Sequence, residues 1–203
     1  MNEPVRIVVY FDYLSPWCYI VAVRLQRIQE EYGDRIDISW RSYPLVPGEI
    51  PGRRISPHSI ESRRRASLEE ESISFRPWDR RKIYPTSSMP ALQAAKCAQL
   101  QGEEAFQRFH ITLFKAFFGE SRNIGDRKVL INLAEEVGLD VDRFTFDFDQ
   151  GRQKEEVMAE YEEGRSKCSM WGIPFTMIGE RYPVMGASPV AMYRRAVNLC
   201  LSS

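Results

Sequence analysis

The sequence predicts an α/β protein in which one sheet is assembled from the two ends of the chain and a large helical insertion lies between them. Three observations carry this. The N-terminal part reads strand–helix–strand, the C-terminal part reads strand–strand–helix, and from Ser87 to about Lys167 the pattern is helical almost throughout. Two strands joined by a helix form a crossover unit and run parallel. On this pattern residues 1–50 and 168–203 make one domain, and residues 51–167 make an inserted loop and helical domain.

Composition narrows the class. The chain has 203 residues, 43% apolar and 28% charged, the balance of an ordinary globular protein with one substantial core. Lys plus Arg is 28 and Asp plus Glu is 28, so the net charge is zero, which speaks against a nucleic-acid partner. No apolar run approaches the ~20 residues of a membrane helix, and no membrane association is expected. Met1 to Tyr10 lacks a charged region followed by a long apolar stretch, so no signal peptide is read there and a cytoplasmic location is expected.

The elements follow in order. Val5 to Phe11 is β-branched and aromatic, a buried strand. Trp17, Val21, Leu25, Ile28 and Tyr32 recur at helical spacing, and Gly33 stops that helix. Arg35 to Trp40 alternates as a strand. From Pro44 to Pro85 the chain is rich in Pro, Gly and charge, including Arg63-Arg64-Arg65, Glu69-Glu70-Glu71 and Arg80-Arg81-Lys82. It reads as loop with one short helix. Its charge runs are either a solvated, ion-paired face or a basic rim for an anionic group.

Ser87 or Ser88 can cap a helix from Pro90 to Leu100, ended by Gly102. Phe106, Phe109, Leu113, Phe114 and Phe117 mark a second helix, an aromatic stripe of the kind that builds cores. Asp126 caps a third through Val137, Asp140 a fourth through Phe148, and a more polar helix spans Gln153 to Arg165. Pro174 to Ile178, a turn at Gly179-Glu180-Arg181, and Tyr182 to Met185 read as a hairpin. The last helix runs from about Ser188 to Leu201.

The chemistry-bearing segment is Ser15-Pro16-Trp17-Cys18, where the first strand hands over to the first helix. Ser is a preferred N-cap and Pro suits the first helical position, so both have a purely local explanation. A thiol in the first turn also feels the positive end of the helix, which favours thiolate at Cys18. The bland alternative is a buried, inert thiol. A second segment is Gly172-Ile173-Pro174-Phe175, where a proline opens a strand. With only 2 histidines and scattered cysteines, no metal-ligand spacing is present.

With these residues in hand, the whole chain resembles the DsbA-like branch of the thioredoxin superfamily, particularly cytosolic FrnE-type oxidoreductases. The likeness rests on Tyr10-Phe11-Asp12, on Ser15 to Ile20, on Leu113 to Phe118 and Ala134 to Asp140 in the insertion, on Gly172 to Phe175, and on Gly186-Ala187-Ser188-Pro189. It implies a thioredoxin-like fold in which a Cys-Pro-Trp-Cys pair exchanges disulfides. Cys18 then stands at the resolving position, Pro174 is the cis-proline, and Ile173 pairs with substrate backbone. The attacking position is occupied by Ser15, so dithiol exchange through this motif is expected to be impaired.

Asp12-Tyr13-Leu14-Ser15-Pro16 also resembles kappa-class glutathione transferases and 2-hydroxychromene-2-carboxylate isomerases, in which a serine at this place bonds the sulfur of glutathione. That family has a second serine where this chain has Cys18, and a Ser-Asp or Asn-Asp pair where Ala187-Ser188 stands. Three readings follow from the resemblances. One is a DsbA/FrnE-family oxidoreductase with Cys18 acting alone; the second is a glutathione-dependent transferase or isomerase using Ser15; the third is a non-catalytic thiol- or peptide-binding member. The catalytic candidates are Ser15 and Cys18, and the binding candidates are Pro16, Trp17, Ile173, Pro174 and Ser188. No cofactor is required, glutathione enters as a cosubstrate, and a thiol- or disulfide-bearing peptide or glutathione is the expected partner, with homodimerisation left open. Cys97 and Cys200 read as packing residues, and a pairing of Cys18 with Cys168 is a minor alternative.

Overall fold

The computed structural model describes residues 3–168 and 172–202. It divides into two compact units, one comprising Met1–Tyr43 with Glu160–Ser203, the other Pro44–Ala159.

In the first unit, strands β1 (Val5–Phe11), β2 (Ile36–Ser42), β3 (Phe175–Ile178) and β4 (Tyr182–Met185) form a sheet of order β2-β1-β3-β4. β1 runs parallel to β2, from Val5 opposite Ile36 to Phe11 opposite Ser42, as the crossover demands. β3 is antiparallel to β1, with Met177 opposite Val8 and Phe175 opposite Tyr10. The two ends of the chain therefore complete one sheet, with β1 inside it. The β3–β4 turn has Gly179 at φ 57° and Glu180 at φ 59°, the paired left-handed residues of a tight hairpin.

An inner strand must be apolar on both faces, which is why β1 is nearly continuous Val, Ile, Tyr and Phe. Helix α1 (Pro16–Tyr32) buries Val21, Leu25, Ile28 and Tyr32 along the expected stripe, whereas Trp17, expected on that stripe, is only partly buried. Helix α8 (Val190–Leu201) buries Tyr193 and Val197 and packs against α1; the Tyr32 hydroxyl reaches Asn198 Oδ1 at 2.8 Å.

Tyr10, Phe175 and Cys168 form a second cluster with Val8, Tyr43, Ile173 and Met177. Cys168 ends helix α7 (Gln153–Cys168), within which the division between the units falls. A Cβ at Gly164 of this helix would lie 2.7 Å from the Tyr10 ring and 2.9 Å from that of Tyr43, so glycine is what lets α7 sit on β1. The buried Glu160 carboxylate on α7 accepts from Ser42 N at 2.7 Å and Arg41 Nη1 at 3.1 Å, anchoring the end of β2.

The second unit contains α2 (Pro57–Glu69), α3 (Met89–Gln99), α4 (Glu103–Glu120), α5 (Arg127–Glu136) and α6 (Val141–Gln150). Phe106, Phe109, Phe114 and Phe117 of α4 are buried, with Phe144 of α6 packed edge-on against Phe109. Asp126 and Asp140 cap α5 and α6 as their positions predict, accepting from Lys128 N and Arg143 N. The serine cap of α3 is divided differently. Ser88 occupies the N-cap position but its hydroxyl accepts from Val46 N, and it is Ser87 Oγ that accepts from Met89 N. The basic run on α2 is likewise split: Arg64 and Arg65 pair with Glu61, whereas Arg63 is buried over the rings of Phe117 and Phe118.

Two predictions follow from this packing. Gly164→Ala should lower stability by about 1–3 kcal/mol, because the Tyr10 ring is fixed in the core and the partly buried Tyr43 ring packs against it; a denaturant titration measures it. Buried His110 packs against Phe106 and Phe114, and desolvation lowers its pKa to about 3. An unfolded histidine titrates near ~6.5, so between these values the unfolded chain binds the extra proton and stability falls as pH drops from about 6.5 towards 3. His110→Leu should flatten that stretch of the stability–pH curve.

Candidate functional site

At the end of β1 the chain turns through Asp12, Tyr13 and Leu14 into α1. Asp12 is buried; its Oδ1 accepts from Leu14 N at 2.6 Å, and its carbonyl accepts from Ser15 N at 3.2 Å. These bonds hold Ser15 in the extended conformation of a cap, φ −94° and ψ 117°, and its Oγ accepts from Cys18 N at 3.3 Å. Pro16 follows at the head of the helix, where its missing N–H costs nothing. Ser15 thus caps α1 and Pro16 opens it, as their local roles predict.

Cys18 departs from its expected thiolate character. Its side chain is fully buried, and desolvation pushes the thiol up to about 12. Hydrogen bonds from Ser15 and the Asp12 main chain pull the other way and are outweighed, while the charges of Asp12 and Cys168 push it further up. A helix N-terminus supplies only ~0.3–1 kcal/mol at exposed sites, less than the cost of ionising a sulfur cut off from water. Cys18 is a neutral thiol under the first turn, and of this segment Trp17 alone is partly exposed beside the buried Ser15 and Pro16.

The second predicted segment is a cis Ile173–Pro174 peptide. Pairing of β3 with β1 starts only at Phe175, so the main chain of Ile173 lies outside the ladder. The Pro174 carbonyl accepts from Gly186 N at 2.9 Å, joining this segment to the β4–α8 loop. Ser188 lies in that loop, and its hydroxyl donates to Met185 O at 2.9 Å, so its proton is used within the fold.

Sequence reasoning missed what holds this loop. Arg24 Nη1 donates to Ala187 O at 2.8 Å and Ser188 O at 3.0 Å, and the buried Tyr193 hydroxyl donates to Gly186 O at 3.4 Å. The available signal was an arginine set among the apolar residues of α1, between Val21 and Leu25. A Tyr10–Glu163–Lys167 network was missed as well. Tyr10 donates to Glu163 Oε1 at 2.8 Å, and Lys167 donates to the Tyr10 oxygen at 3.2 Å.

Direct bonds thus bring Asp12, Ser15 and Cys18 together, and a separate set joins Pro174, Gly186 and Ser188 to Arg24 and Tyr193. All four cysteines are free, so Cys18 and Cys168 form no disulfide; residues 169–171 lie outside the described residues. Among the described residues no group of three or more His, Cys, Asp or Glu side chains is positioned for a metal ion, and no helix is long and apolar enough to cross a membrane.

A parallel β1–α1–β2 unit, a returning hairpin preceded by a cis-proline, and a helical insertion between them define a thioredoxin-like fold of the DsbA type. The chain belongs to the DSBA-like thioredoxin domain family, which it matches over residues 6–198. It is 26% identical over 210 residues to the protein YwbO of Bacillus subtilis, covering 96% of each. Among solved structures it is similar to the cytosolic disulfide reductase DsbM from Pseudomonas aeruginosa with GSH, with TM-score 0.71, 20% identity, and 97% and 98% of the two chains covered. It is also similar to a 2-hydroxychromene-2-carboxylate isomerase, with TM-score 0.69, 18% identity and 97% of each chain covered. At these identities the two structures share the fold.

The burial pattern predicts an order of thiol reactivity. In native protein treated with iodoacetamide, Cys200, the one partly exposed thiol, should be alkylated first. Cys18, Cys97 and Cys168 should react only after unfolding, as read by peptide mass mapping.

Proposed function

We propose that the chain binds a thiol ligand of the glutathione type through Ser15 and acts as a glutathione-dependent isomerase or transferase rather than as a dithiol oxidant. The observation that carries this is the state of Cys18: fully buried, with its pKa raised to about 12. Such a sulfur does not attack a substrate, so the reading in which Cys18 works alone loses its nucleophile. Ser15 cannot form half of a disulfide.

What Ser15 offers is a donor. Its oxygen is engaged by Cys18 N, and its hydroxyl proton remains to be given to a sulfur. In the free protein that sulfur is Cys18; in the proposed complex it is the ligand's. The thiol of the ligand releases its proton to solvent, and the resulting thiolate is held by the Ser15 hydroxyl near the positive end of α1, ready to add to an electrophilic carbon. The main chain of Ile173, left outside the sheet beside cis-Pro174, supplies an N–H and a C=O to pair with a peptide ligand. Pro16 sets the helix start and Trp17 offers a partly exposed ring. Ser188 has spent its proton on Met185 O and can only accept, so it suits an ammonium end of a ligand. The likeness in fold to a reductase solved with GSH and to an isomerase is consistent with this assignment.

Calorimetry tests the reading. Glutathione should bind at millimolar or lower concentration, and Ser15→Ala should weaken binding about tenfold. It should also return the bound thiol's pKa towards its ordinary value near ~8.5, followed by thiolate absorbance. No heat of binding at millimolar glutathione from a folded protein would overturn the proposal. In a parallel test, the wild type should fail to reduce insulin disulfides, whereas Ser15→Cys should gain that activity by restoring a Cys-Pro-Trp-Cys pair.

A further inference from the structure

The inserted unit carries a cleft that the proposed chemistry does not use. One lobe, about 590 Å³, lies between the Gly52–Ile60 segment and the Trp78–Tyr84 segment. A second lobe, about 360 Å³, continues along α2 towards Phe75 and Pro77. Ile55, Ile60, Trp78 and Arg80 line both lobes, so they are parts of one groove. These volumes fall in the range of small-molecule sites, ~300–1,000 Å³.

The lining is chemically one-sided. The larger lobe is lined by Arg53, Arg54, Arg80, Arg81 and Lys82, the smaller by Arg63, Arg64 and Arg76 as well as Arg80, and neither lining includes a carboxylate. The whole chain is neutral, with 28 basic and 28 acidic residues, so this excess is local. Most of these cations are already engaged. Arg81 is clasped by Asp79, Arg64 by Glu61, Arg53 bonds Pro85 O and lies over Tyr84, Lys82 bonds Glu120 O, and Arg63 is stacked in the core. Among the described residues, the guanidiniums of Arg54, Arg76 and Arg80 make no side-chain hydrogen bond or ion pair, and all three are exposed; Arg54 lines the larger lobe, Arg76 the smaller, and Arg80 both. Beside them Ile83 is 74% exposed and Ile60 42%, an apolar rim with no cover of its own.

We propose that this groove is a binding site for a small organic anion with an apolar body: a carboxylate, sulfonate or phosphate group held by Arg54 and Arg80, and an aliphatic or aromatic portion lying along Ile55, Ile60 and Trp78. An inorganic anion would leave the apolar walls wet, and an uncharged hydrocarbon would leave the unpaired guanidiniums of Arg54, Arg76 and Arg80 beside it. Only a ligand with both parts uses both lobes.

The test is a fluorescence titration of the full-length protein with 8-anilinonaphthalene-1-sulfonate, followed by competition. The expected result is one saturable site whose affinity falls with added salt. Decanoate should displace the probe, whereas inorganic phosphate and 1-decanol should not. The Arg54→Ala/Arg80→Ala double variant should bind about tenfold more weakly or worse. Both side chains are exposed, and circular dichroism checks that the fold is kept; Arg80→Gln alone serves as a milder second variant. Absence of a saturable site, equal affinity in the variants, or displacement by 1-decanol as strong as by decanoate would each overturn the assignment.

Discussion

The join between β1 and α1 depends on a carboxylate. Asp12, buried at the end of the central strand, satisfies Leu14 N with its side chain and Ser15 N with its carbonyl, and so fixes the residue that caps the helix. Everything downstream inherits that geometry. The cap sets the direction of α1, α1 buries Val21, Leu25 and Ile28, and Arg24 on the same helix clasps the loop that holds Pro174. One short turn thus connects the serine, the helix and the cis-proline segment, although these are separated by most of the sequence.

The same turn decides the chemistry. A cysteine in a helix's first turn is pulled towards thiolate by the backbone and towards the neutral form by burial. Here burial wins, and Cys18 contributes packing. The competition could not be judged from the sequence, because the helix position is local whereas burial depends on the folded core, and even one charge that pushes the thiol up reaches it from Cys168, 150 residues away. By contrast, the caps at Ser15, Asp126 and Asp140 were legible, since a cap needs only its own three or four residues. The strands were legible for a similar reason: apolar runs and the helical crossover leave β1 and β2 only the parallel arrangement.

What escaped the sequence was mostly long-range polar bonding. Glu160 reaching Ser42, Arg24 reaching Ala187 and Tyr10 reaching Glu163 all span more than a hundred residues, and no spacing rule marks them. The arginine run on α2 shows the same limit within a single helix. Arg64 and Arg65 follow the ordinary rule of pairing one turn away, while Arg63, their neighbour, is drawn beneath aromatic rings contributed by α4. Adjacent residues of one type were given opposite fates by the faces they occupy.

The four unpaired cysteines have a last consequence, for durability. No covalent cross-link contributes to this fold, so reducing surroundings have none to remove. Among the thiols, three of the four are shut in the core, and Cys200 near the end of the last helix is the one an oxidant meets first. Damage by oxidants is thereby steered to the chain's periphery, where a sulfenic acid can form without opening the core. The fold thus rests on packing and hydrogen bonds, with no disulfide for its stability to gain or lose as redox conditions change.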